Sequence, residues 1–556
     1  MRSCIVLLSV LLASVLSEDV KDRESLLVQI NSGLVRGYKD PKNDIFVFNG
    51  IPYATAPTGT GRFKGPLPPP AWMSIFEAVD DRTICPQINL TGFIPDTKIM
   101  KEDCLVANVY VPKTQKRNLP VVVYIHGGGF LLGFGTLLTP KELVSSQTVL
   151  AVTFNYRLGA HGFLCLGTKD VPGNAGMKDQ VALLRWVRKN IAGFGGNPND
   201  VTLAGYSAGS SSVDLLMLSK MAEGLFHKVI PESGASTSPF SMQVDPIQNA
   251  KEYAKLIDIE NVDDILEMEK SFKKVSYEVL QSGNLLNRKD FTFLFAPCVE
   301  RDSGQEMFLT DDPVNILKRS DFPKLPMLYG FAQMEGLLLM ENFDLWKKDM
   351  NENFANFLPA NLKFKSEEEK VLTANKIRKF YFGDSEVDNN AILQYIDYRS
   401  DGYFTCPTMR VVNHLVKAGH SEIYLYEYSY TDEFSPVVPY TNIRGAPHCA
   451  QSEAVLDGFD PSFSKQYSFT DDFVSMKSLM RELWGNFIKN GKPAASGTPM
   501  WPAAGLNGSP HMALKKDPEI KGALLEERCL FWNEIYDSHY KFSEPPQRSL
   551  RQNTEL

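Results

Sequence analysis

Apolar residues in this chain follow two rhythms: short unbroken runs, and stretches spaced three or four apart. "PVVVYI" (residues 120–125) and "TVLAVTFNY" (148–156) are continuous apolar runs, the pattern of strands buried on both faces. "VTLAGY" (201–206), "LPMLYGF" (325–331) and "EIYLYEYSY" (422–430) also read as strands. Between them the spacing turns helical. Val181, Leu184, Val187 and Ile191 share one face of a helix expected over 179–192, and "AGSSSVDLLMLS" from Ala208 reads as another. Met476, Leu479, Met480, Leu483 and Phe487 form a third apolar face before the helix stop "NGKP" (490–493). There is no internal repeat, and no linker rich in proline, glycine and serine. Strands interleaved with helices therefore predict a single α/β domain over residues 18–540, with one parallel-dominated sheet.

The two ends of the chain stand apart from this pattern. "MRSCIVLLSVLLASVLSEDV" has Arg2, an apolar stretch from Cys4 to Leu16 and small residues before Glu18, the pattern of a secretory signal peptide (1–17) cleaved after Ser17. A membrane anchor is the alternative, but the stretch is short, and no later segment has the unbroken apolar length of a transmembrane helix. The chain is expected to enter the secretory pathway and be secreted. Residues 541–556 form a polar tail ending in "NTEL". That ending resembles an ER-retention tetrapeptide and reads equally as a tail with no address.

The 556 residues carry a net charge of −8, which argues against nucleic acid or an anionic membrane surface as partner. Of eight cysteines, Cys4 leaves with the signal, and the odd remainder means at least one free thiol. Cys85 and Cys104 close a short polar loop and make the best disulfide pair; the others lack metal-ligand spacing. Asn89 in "NLT" and Asn507 in "NGS" are glycosylation acceptors, the second weakened by Pro510.

Candidate chemistry centres on "GYSAG" (205–209). Ser207 stands where a buried strand must turn sharply into a helix. Gly205 and Gly209 let the two elements close, which lifts the serine onto a strained corner with free helix N–H groups behind it. A lone Gly-x-Ser-x-Gly recurs by chance, so the serine needs a base and an oxyanion site. "HGGGF" (126–130) directly follows the strand at 120–125. Gly128 and Gly129 can offer unobstructed N–H groups there, and Ala208 would complete the hole. Among the histidines, His448 in "RGAPHCAQ" falls in a loop after a strand, where a base would be carried. Glu335 in "GFAQMEGLL" follows another strand and would orient the imidazole. The order Ser207, Glu335, His448 is that of the α/β-hydrolase triad.

Longer blocks carry a resemblance. "FNGIPYATAPTGTGRF" (48–63), "EDCLVANVYVP" (102–112), "NYRLGAHGFL" (155–164), the stretch from "GNAGMKDQ" to "GYSAG" (173–209) and "LFHKVIPESG" (225–234) are similar in order and spacing to blocks of the type B carboxylesterase, cholinesterase-like family. They are most similar to insect carboxyl/cholinesterases, over nearly the whole mature chain. The resemblance implies an α/β-hydrolase fold, a large, mostly parallel central sheet flanked by helices. It implies Ser207 as nucleophile, Glu335 as acid and His448 as base, with Gly128, Gly129 and Ala208 as oxyanion donors, and it supports the Cys85–Cys104 bond. The implied activity is hydrolysis of a small-molecule ester through an acyl-enzyme, with no cofactor and no metal, by a monomer or weak homo-oligomer.

Two departures bear on substrate. Family members often carry an acid just before the nucleophile and another three residues after the catalytic histidine. Here those positions are Tyr206 and Gln451, as if a buried acidic network had been replaced as a unit, and a cationic ester should gain less attraction. The loop between Cys85 and Cys104 has no tryptophan and a single aromatic, Phe93, which argues against choline esters. Small apolar, volatile or xenobiotic esters fit best, of odorant, pheromone or detoxification type. The alternatives are a non-catalytic binding or adhesion protein on the same scaffold, a juvenile-hormone-type esterase, which Tyr206 counts against, and a neutral lipase, which lacks a lid helix here. The aromatic residues at 341–357 either line the gorge or pack as core.

Overall fold

The computed structural model describes residues 24–88, 93–281, 288–458 and 469–547. The expected signal peptide, Asn89 and the "NTEL" terminus lie outside them.

The five expected strands appear, and two unexpected ones, β4 and β7, complete a block of seven parallel strands: β1 (Leu119–Ile125), β2 (Leu150–Phe154), β3 (Gly196–Tyr206), β4 (Lys228–Glu232), β5 (Met327–Ala332), β6 (Ile423–Tyr428) and β7 (His511–Leu514). In space they run β2-β1-β3-β4-β5-β6-β7. Antiparallel strands extend the sheet on both sides, from Val106–Pro112 out to Ser25–Ile30 beyond β2, and Glu519–Lys521 beyond β7. Helices cover both faces of the parallel block. Every residue of β2, β4 and β5 is therefore buried, and no polar alternation is needed.

Helix α1 (Ala175–Asn190) starts four residues before the predicted Asp179 and passes into a short 3₁₀ turn at Ile191–Phe194. Its first turn is buried against polar partners, with Lys178 on Glu300 at 2.7 Å, so apolar spacing does not mark it. Helix α2 (Ala208–Leu218) is buried at every position. Helix α3 (Ala450–Val455) is a short turn after His448. Helix α4 (Asp471–Asn490) is capped by the Thr470 side chain and ends at Gly491.

Cys85 bonds Cys104 as expected, Cys165 bonds Cys298 and Cys406 bonds Cys529, leaving Cys449 free and buried among the described residues. Phe343, Trp346, Phe354 and Phe357 are buried against Tyr395, Tyr398 and one another, so the aromatics at 341–357 pack as core. Among the described residues, no helix is long and apolar enough to cross a membrane.

Candidate active site

The site forms at the carboxyl edge of the parallel strands. Ser207 follows the last residue of β3, with φ 55° and ψ −125°, and opens α2. A non-glycine residue held there is strained, and the surrounding packing must maintain it. A Cβ on Gly209 would stand 2.2 Å from the Ile125 carbonyl oxygen, so only glycine lets α2 close onto the end of β1. The Ser207 N–H donates to the Glu232 carbonyl at the end of β4, at 2.8 Å.

The glycine run reaches this corner because β1 pairs with β3, Ile125 opposite Gly205. A Cβ on Gly127 would lie 2.9 Å from the Ser207 Cβ. Gly128 has φ 106°, and a Cβ on it would lie 2.0 Å from the Leu132 carbonyl oxygen. Its own carbonyl takes the N–H groups of Leu131 and Leu132 at 3.0 and 3.1 Å. Gly129 sits beside the Phe293 ring, and Ala208 is the buried first residue of α2. His126, the histidine nearest the glycines in sequence, stacks on Tyr156 with its Nδ1 against the Gly127 carbonyl at 2.8 Å. Burial lowers its pKa to about 4, so it is neutral and only weakly basic at neutral pH.

Glu335 follows β5, fully buried, and His448 is carried by the loop after β6. These loops are joined by the Met334 N–H on the Ala446 carbonyl at 3.0 Å. His448 Nδ1 donates to Glu335 Oε2. Glu335 Oε1 accepts from the Ser233 hydroxyl at 2.5 Å and the Ala332 N–H at 2.7 Å, so the buried carboxylate is satisfied by three donors. His448 Nε2 is buried and has no hydrogen-bond partner among the described residues. The structure thus brings Glu335 and His448 into contact. It places Ser207 one hydrogen bond from Glu232, the neighbour of Ser233. Asn507 lies on a turn at φ 56°, its Nδ2 donating to Glu526 at 3.0 Å.

Tyr206 and Gln451 occupy the two positions where family members often carry acids, and another buried acid lies close to Glu335 and His448. Glu232 is fully buried, accepts hydrogen bonds from the Tyr426 and Ser452 hydroxyls, and has its pKa raised to about 7 by burial. Glu232 is the last residue of β4. The sequence signal was the "PESG" that ends a buried strand, but nothing local says which loop that strand end meets. Ser233 and Phe404, whose ring centroid lies 4.3 Å from that of His448, were also missed.

The carboxylesterase family model matches residues 24–532. Esterase FE4 of Myzus persicae is 33% identical over 498 residues, covering 85% of this chain and 86% of that protein. Juvenile hormone esterase of Heliothis virescens is 33% identical over 506 residues, covering 86% and 88%. The crystal structure of juvenile hormone esterase from Manduca sexta, with OTFP covalently attached, superposes with a TM-score of 0.83 at 30% identity. It covers 92% of this chain and 100% of that one.

Proposed function

We propose that this chain, which belongs to the carboxylesterase family and is a carboxylic ester hydrolase, works through Ser207, His448 and Glu335 as a secreted enzyme for small apolar esters. His448 takes the Ser207 proton as the hydroxyl attacks the ester carbonyl. Glu335 holds the imidazole by Nδ1 and stabilises its charged form. The tetrahedral oxyanion is received by the N–H groups of Gly128, Gly129 and Ala208, each worth about 3 kcal/mol in the transition state. The alcohol leaves with the proton from His448. Water activated by the same histidine then releases the acid and restores Ser207.

The observation that carries this reading is the His448–Glu335 hydrogen bond beside a serine held at positive φ. The substrate class is supported by an apolar wall. Phe293 beside Gly129 lies 5.6 Å from Phe240, and Phe240 lies 5.5 Å from Phe404, which packs on His448. Three disulfides suit the oxidising secretory route that the leader sequence calls for.

The test is a stoichiometric organophosphate with a chromogenic leaving group, followed by peptide mapping. One equivalent released with the adduct on Ser207 supports the triad. Folded protein that gives no burst would turn the reading to a binding protein. A juvenile-hormone-type substrate is the second reading, favoured by the likeness to the Manduca sexta enzyme. A kcat/KM for a juvenile-hormone ester far above that for short apolar esters would select it.

A further inference from the structure

Helix α3 starts two residues after His448 and reaches back to the sheet with two consecutive side chains. Gln451 Nε2 donates to Ser233 Oγ at 2.5 Å, and Ser452 Oγ donates to Glu232 Oε2 at 2.6 Å. Neighbouring residues of α3 therefore grip neighbouring residues at the end of β4, and all four are fully buried. The same strand end holds the nucleophile's backbone. Glu232 takes the Ser207 N–H at 2.8 Å, and a Cβ on Gly234 would stand 2.4 Å from the Ser207 carbonyl oxygen. The loop that carries the base is thus buttoned to the corner that carries the serine.

We infer that Gln451 and Ser452 are positioning residues for His448, and that the amide at 451 sets the direction of hydrogen bonding behind the triad. The inference rests on the triad proposed above. A hydroxyl has one proton, and an amide NH₂ only donates. Once Gln451 donates to Ser233, the Ser233 proton is committed to Glu335 Oε1. A carboxylate at 451 would accept instead and compete with Glu335 for that proton. Gln451 Oε1 is buried without a partner among the described residues, a cost borne by an amide kept for its donor. Glu335, His448, Glu232, Cys449, Glu453, Tyr124, Tyr206, Tyr426 and Lys477 are titratable groups around this chain of bonds, and the amide adds no charge to them.

The experiment compares wild type, Gln451→Met and Gln451→Glu by organophosphate burst, melting temperature and the pH dependence of kcat/KM. Gln451→Met is expected to lower kcat roughly ten- to a hundredfold with KM within about threefold, because the base loses orientation while the substrate wall is untouched. Gln451→Glu is expected to move the acid limb of kcat/KM up by roughly one pH unit, since a new carboxylate favours the imidazolium. A Gln451→Met enzyme within about twofold of wild-type kcat, or a Gln451→Glu profile that superimposes on wild type, overturns the inference. If Gln451→Met loses activity only in step with its melting temperature, the Gln451→Glu profile decides. Wild type that gives no burst at Ser207 overturns the triad itself, which separates the two failures.

Discussion

The Phe404 ring packs against the imidazole of His448, centroids 4.3 Å apart and planes inclined by 36°. Phe404 rides on a π-helical turn, Asp401–Thr405, a local widening often found at functional sites. Asp401 is fully buried and pinned by Arg528 through two contacts of 2.6 Å, and the Cys406–Cys529 bond follows at once. The turn therefore delivers Phe404 to a fixed place. Phe404→Ala is expected to cost about 3 kcal/mol of stability through the cavity it leaves. It should also lower kcat, because the imidazole gains freedom. Melting curves and single-turnover rates check both; full stability loss with unchanged kcat would assign the ring to packing alone.

Glu335→Gln keeps the shape of the side chain and removes the carboxylate that receives His448 Nδ1. With the imidazole no longer held in the productive tautomer, kcat is expected to fall by roughly 10⁴-fold, with little change in KM. Steady-state kinetics on a chromogenic short-chain ester measures this. A loss below about tenfold would remove Glu335 from the triad.

Gly128→Ala introduces a Cβ 2.0 Å from the Leu132 carbonyl oxygen at a residue with φ 106°. The loop must shift, and its N–H groups leave the oxyanion position. A drop in kcat of roughly 10²- to 10³-fold is expected. Wild-type turnover in a correctly folded variant would place the oxyanion donors elsewhere.

Buried acids give stability a pH slope. Burial raises Glu232 from its ordinary 4.5 to about 7, so between those values the folded protein holds a proton that the unfolded chain has released. Its contribution is complete below pH 4.5, declines as pH rises and is gone above about 7. Asp214, raised by burial to about 6, acts in the same direction. His126, lowered to about 4, acts oppositely, losing stability as pH falls from 6.5 toward 4. The stability difference between wild type and Glu232→Gln should therefore change by about 3 kcal/mol between pH 4.5 and 8, wild type losing ground as pH rises. Denaturant titrations across that range test it; a constant difference would contradict a buried, titrating Glu232.

Cys449 is the one free thiol among the described residues, and burial pushes its pKa well above the ordinary thiol value. A thiol reagent is expected to label none of the mature native protein and one site after denaturation without reductant. More than one would contradict the three disulfide pairings.

Much of this was legible along the chain because it is local. Continuous apolar runs marked β1 and β2, since a strand covered by helices on both faces has no polar side to alternate with. The strand–turn–helix around Ser207 and the glycines after β1 are contiguous stretches whose geometry follows from their own residues, and the chain order of Ser207, Glu335 and His448 could be read off. Tertiary structure alone decided what these segments meet. Glu335 and His448 are 113 positions apart, Cys165 and Cys298 are 133 apart, and Glu232 and Ser452 are 220 apart. No periodicity records such pairings, because they arise from where separate strand ends converge. Nor does the sequence set the charge state of Glu232, which depends on how completely the fold removes it from water.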